Sequence, residues 1–115
     1  MPDIDLRDVR FAYPEGAGVY AEPGLAAYGA SKAAVMSLVD ALNAEESKNG
    51  VVATALAPGY VDTDMSAWIR DRIPAESMIP SEDIAVLVGS LLSLSRRTTI
   101  GRIVLARAGT TGYEA

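Results

Sequence analysis

The apolar and polar positions of the chain divide it into five stretches of regular pattern. Residues 4 to 13, IDLRDVRFAY, alternate roughly between apolar and polar, the period of a half-buried strand. PEGAG follows as a loop. From Leu25 to about Lys48 the pattern becomes helical. Leu38, Val39, Ala41 and Leu42 are expected on one apolar face, and Asn49-Gly50 supplies a stop signal. VVATALA, residues 51 to 57, is uncharged and rich in β-branched residues, which predicts a strand covered on both faces and ended by Pro58-Gly59. Residues 60 to 80 read as a long loop with a short helical piece at SAWIRDRI. A second helix is predicted over 82–94, with Ser81 as its cap and Glu82 and Asp83 in the first turn, where the helix dipole favours acidic groups. RRTTIG makes a turn, RIVLARA (102 to 108) is the last predicted strand, and GTTGYEA is a loop-like tail.

Strand, helix, strand, helix, strand is the rhythm of a parallel α/β sheet. With 115 residues, half of them apolar, the chain suits one small domain with a real core. The longest apolar stretch, IAVLVGSLLSL, is far too short to span a bilayer, and the start, MPDIDLRD, lacks the apolar core of a secretory signal. A soluble, cytoplasmic protein is the expectation.

Charge and residue types narrow the chemistry. The net charge of −5 works against nucleic acid or an anionic membrane as partner. The absence of cysteine removes disulfides and thiolate chemistry, and the absence of histidine removes the usual general base and metal ligand. No metal site is expected. Acid–base work must fall to Tyr, Lys, Asp or Glu.

One spacing offers such chemistry. In AYGASKAAV, Tyr28 stands four residues before Lys32, so the two are neighbours on a helix. An adjacent ammonium favours the phenolate, and a phenol tuned in this way can exchange a proton with an alcohol or ketone oxygen. The plainer alternative is a tyrosine and a lysine that merely share a helix face.

The setting of the pair is more specific. The helix YGASKAAVMSLVDALNAEE, the strand VVATALA and the loop PGYVDTDM, in that order, resemble the C-terminal half of the short-chain dehydrogenase/reductase family. SEDIAVLVGSLLS and IGRIVLARAG extend the likeness, which covers roughly residues 16 to 109. The resemblance implies a partial Rossmann-like, three-layer α/β fold, the C-terminal βαβαβ portion of a doubly wound parallel sheet. Residues 16–115 would form that unit, and residues 1–15 an atypical N-terminal strand segment. It further implies that Tyr28 is the catalytic acid/base and that Lys32 lowers its pKa and holds the ribose of NAD or NADP. Pro58, Gly59, Val61 and Thr63 would line the nicotinamide end, with Thr63 near the carboxamide or the phosphates. The implied substrate is a small carbonyl or alcohol compound, nearest to the 3-oxoacyl-thioester reductase branch. Association of copies through the Tyr28 helix is a further implication.

Several departures set a second functional reading beside the first. The family's phosphate-binding turn is matched only formally, by GAGVYA at 16–21, and Glu22-Pro23-Gly24 follows where a helix should open. Glu15 and Gly16 stand where the family has a catalytic serine. Residues 1–13 instead resemble the opening strand of ABC-transporter ATPases, with Tyr13 at the adenine-stacking position, yet no G-x-x-x-x-G-K-[ST] follows. The alternative is therefore a truncated, non-catalytic remnant or interaction module. In the loop, Trp68, Ile69 and Met78 are candidates for an apolar lid or for core.

Overall fold

A computed structural model of the chain describes residues 26–110. Helix α1 (Ala26–Glu46) runs into a short 3-10 turn (Ser47–Asn49). Strand β1 (Ala55–Pro58) follows, then two short 3-10 turns (Asp64–Ile69 and Ala75–Ser77), helix α2 (Ser81–Leu92) and strand β2 (Arg102–Leu105). The first predicted strand, residues 4–13, lies outside the described residues.

β1 and β2 pair in parallel, Ala55 opposite Arg102 and Pro58 opposite Leu105, with α2 as the crossover between them. Side chains alternate across the two faces of the sheet. Ala55 and Ala57 pack on one face against Met36 and Val39 of α1. Leu56 and Leu105 lie on the other, in one cluster with Val61, Ile79, Ile84 and Val88 of α2. The helices therefore cover opposite faces, which makes a three-layer α/β/α arrangement of the kind the family resemblance implies.

Local chemistry explains where the observed elements differ from the expected ones. Gly50 ends the first helical segment with φ of 85°, a left-handed turn that glycine adopts without steric cost. Strand pairing begins at Ala55, not at Val51. The Val51 amide is held by the Glu46 carbonyl, and Ala53 is bonded through both its amide and its carbonyl to the Asn43 side chain. β2 is likewise shorter than predicted. Leu38, expected on the apolar face of α1, is 59% exposed. The buried stripe runs through Met36, Val39 and Asn43, and a residue two places from Met36 is turned about 200° away from it. Ser81 does not cap α2. Pro80 holds the cap position with no side-chain bond, and Ser81 is the first helical residue.

Candidate active site

α1 runs antiparallel to β1. Asn43, late in the helix, meets Ala53 just before the strand, whereas Met36 packs on Ala55 and Ala57. Moving eight residues back from Met36 to Tyr28 climbs about 12 Å at 1.5 Å per residue. The same rise along an extended chain, at about 3.3 Å per residue, leads from the middle of β1 to the neighbourhood of Tyr60. The N-terminal end of α1 and the segment leaving β1 therefore lie at the same end of the sheet, where the carboxyl ends of parallel strands build ligand sites.

On α1 the predicted pair is in contact. The Lys32 ammonium stands over the Tyr28 ring, 5.2 Å from its centroid, and both residues are half-buried. The ammonium thus meets the negative face of the ring, an attraction that persists while the phenol is neutral. The Ser31 hydroxyl donates to the Tyr28 carbonyl at 2.7 Å. Ser31 and Lys32 also line a cleft of about 340 Å³ whose floor includes Met36, Ala55 and Leu56.

The end of β1 and the segment after it, which carry the other four predicted residues, are rigidly tied. Pro58 and Gly59 are buried, and the Gly59 amide donates to the Leu105 carbonyl at 2.8 Å. Val61 is fully buried and forms a parallel bridge with Ile79. Ile79 donates to the Tyr60 carbonyl and accepts from the Asp62 amide, both at 2.9 Å. Thr63 is half-buried, its backbone extended at the start of the 3-10 turn. Its carbonyl accepts from the Ser66 amide at 3.0 Å and from Arg70 at 3.3 Å, while Arg70 also reaches the Asp62 carboxylate at 3.1 Å.

The loop from Tyr60 to Met78 has its own core. Tyr60, Ile69 and Met78 are buried together with Ile73 packed against them. Ile69 and Met78 are therefore core and not lid. Trp68 stands 64% exposed, edge-on to Tyr60 with ring centroids 6.2 Å apart. A larger cleft of about 450 Å³, between Ile79, Asp83 and Leu105, takes in none of the six predicted residues. Among the described residues no group of acidic side chains could hold a metal, and no helix is long and apolar enough to cross a membrane.

Comparison with known proteins accounts for this order of helix, strand and loop. A profile of the short chain dehydrogenases matches residues 16–74. The chain belongs to that family. It is 31% identical over 100 residues to the 3-oxoacyl-[acyl-carrier-protein] reductase FabG of Rickettsia bellii, covering 80% of this chain and 42% of that protein. The MabA reductase of Mycobacterium avium, which bears the same activity name, is 35% identical over 69 residues, covering 58% of this chain and 27% of that one. In three dimensions the chain matches the crystal structure of a β-ketoacyl-[ACP] reductase from Bacteroides thetaiotaomicron. That match has a TM-score of 0.66 and 32% identity, covering 73% of this chain and 36% of that one. The family place is thus on the 3-oxoacyl reductase branch, and the chain spans less than half the length of each of these relatives.

Three residues that hold the site were not singled out in the sequence. Asn43, Ser66 and Arg70 act through bonds to backbone groups ten, five and seven residues away. Only Ser66 had a local signal, as a hydroxyl three residues after Thr63 at the start of a helical turn.

Proposed function

We propose that this chain carries the nicotinamide side of a short-chain reductase site and serves hydride transfer between NAD or NADP and a carbonyl or alcohol substrate. The observation that carries the reading is the Lys32 ammonium 5.2 Å from the Tyr28 ring, at the end of the sheet from which Pro58, Gly59, Val61 and Thr63 leave β1. The donor set fits a nicotinamide riboside. An ammonium suits the ribose diol and a half-buried hydroxyl suits the carboxamide, while Pro58 and Val61, both fully buried, anchor the backbone that leads to that hydroxyl.

When bound, the reduced nicotinamide supplies the hydride to the carbonyl carbon. The Tyr28 phenol gives its proton to the carbonyl oxygen, yielding the alcohol, and the resulting phenolate recovers a proton from solvent. Lys32 favours that phenolate by its charge. The substrate class that the relatives' names support is a 3-oxoacyl thioester. Residues 16–115 act as one unit in this reading, in the cytoplasm. Val35 and Leu38, 51% and 59% exposed on α1, offer an apolar face to a second copy.

Glu15 and Gly16, in place of a hydroxyl residue, favour a second reading in which the unit binds or packs without turnover. An ionised carboxylate at that place would repel a developing alkoxide. Titration of the purified chain with NADH and NADPH, followed by reduced-nicotinamide fluorescence, separates the two. Saturable binding that Lys32→Ala weakens supports the oxidoreductase. A folded chain that binds neither cofactor leaves the non-catalytic role.

A further inference from the structure

Ser66 carries a hydroxyl in a deeply buried residue, 2% exposed. A hydroxyl removed from water without a partner is costly, so its bonds define what it does. It has a single hydrogen, and that hydrogen is donated to the Val61 carbonyl. The direction is fixed, because a carbonyl oxygen can only accept.

The Thr63 hydroxyl lies 3.4 Å from the Ser66 hydroxyl. With its hydrogen already engaged at Val61, Ser66 offers Thr63 nothing but lone pairs. In this pair Thr63 is therefore the donor. Donation to Ser66 turns the Thr63 hydrogen inward and leaves both of its lone pairs for whatever approaches from outside. The backbone cannot easily reorient to change this, since the Thr63 carbonyl is held by both the Ser66 amide and the Arg70 guanidinium.

Resting on the nicotinamide site proposed above, we infer that Ser66 is a positioning residue that sets the polarity of the Thr63 hydroxyl and makes it a hydrogen-bond acceptor toward the ligand. An acceptor there matches the N–H of a carboxamide. It does not match a phosphate oxygen, which would bring lone pair against lone pair. Of the two ligand groups the family resemblance leaves open for Thr63, the Ser66 arrangement selects the carboxamide. The Thr63–Ser66 distance exceeds the usual O–H···O separation of about 2.7–2.8 Å. The bias is accordingly a matter of a few-fold, not orders of magnitude.

The test compares reduced NAD with its reduced 3-acetylpyridine analogue, which replaces the carboxamide NH₂ by a methyl group and keeps the carbonyl. Calorimetric titration of the wild-type chain should show preference for the carboxamide form by about three- to tenfold, the worth of one hydrogen bond. Ser66→Ala frees the Thr63 hydrogen to donate to the acetyl carbonyl, and the preference should narrow to less than about twofold. Ser66→Thr, which keeps the hydroxyl, should retain it. A purely structural Ser66 would weaken both ligands alike and leave the ratio unchanged, which overturns the assignment. Equal binding of both ligands by the wild type overturns it too, while leaving the oxidoreductase reading intact. Binding of neither removes that reading and this one with it. Where Ser66→Ala does not fold, hydroxyl-proton NMR of the wild type decides. Slow exchange at both Ser66 and Thr63 supports the arrangement, and a Thr63 hydroxyl exchanging as fast as an exposed threonine's sinks it.

Discussion

The Asn43 carboxamide bonds both polar groups of one residue, donating to the Ala53 carbonyl and accepting from the Ala53 amide, each at 2.8 Å. This two-pronged contact joins the end of α1 to the chain entering β1 and fixes their antiparallel register. It is part-buried, so its loss leaves backbone groups poorly solvated. Asn43→Ala should cost about 1–3 kcal/mol. Asn43→Asp keeps the acceptor but loses the donor, and sets a carboxylate against the Ala53 carbonyl, so it should be destabilising as well. Urea denaturation of the three proteins checks this. Wild-type midpoints in both variants would show that the contact contributes nothing.

Gly50 is a backbone requirement and not a packing one. Its φ is 85°, and a Cβ built there would meet the Arg96 side chain only at an ordinary 3.5 Å. Gly50→Ala should therefore lose roughly 1–2 kcal/mol from left-handed strain alone. Gly50→Asn should lose less, because asparagine tolerates that region better. Thermal melts should rank the proteins as wild type, Asn, Ala, with about 4–8 °C per kcal/mol for a domain of this size.

Burial, not charge, holds α2 and the loop in place. Ile84 is 5% exposed and packs with Val61 and Ile79, so Ile84→Ala should cost about 2–5 kcal/mol. The Arg70–Asp62 pair, with both side chains about two-fifths exposed, is screened by solvent. Arg70→Ala should cost no more than about 1 kcal/mol. Denaturation midpoints that reverse this order would mean that the loop is held electrostatically.

The contrast between those residues marks what the sequence could disclose. Helix, strand and crossover followed from period and punctuation: the Asn49-Gly50 stop, the uncharged run into Pro58-Gly59, and the acidic first turn of α2. Tyr28 and Lys32 were legible because helical geometry alone makes residues four apart neighbours. The burial of α1 was misjudged at Leu38, because which stripe of a helix is covered depends on the strands it meets. Asn43 meeting Ala53 is a product of the chain reversal at Gly50, and Ser66 meeting Val61 of the way the loop turns after β1. The spacing of apolar positions reports neither. The same holds for Ile69 and Met78, whose burial comes from the loop closing on itself through the Val61–Ile79 bridge.

The proton-transfer role proposed for Tyr28 has a sharp consequence. If the phenol supplies the proton, Tyr28→Phe removes the acid and leaves the ring under the Lys32 ammonium, so the fold and the cation–ring contact survive. Reduction of a 3-oxoacyl thioester, followed by loss of NADPH absorbance, should fall by about 10²–10⁴-fold, the usual contribution of one general acid. Cofactor affinity should stay near that of the wild type. Lys32→Ala should behave differently, weakening cofactor binding and turnover together, because in the proposed site the ammonium serves both the ribose and the phenolate. Lys32→Arg keeps the charge and should recover part of both. If instead Tyr28→Phe reduces the thioester at the wild-type rate, the proton comes from elsewhere, and the contact on α1 is only two residues sharing a helix face.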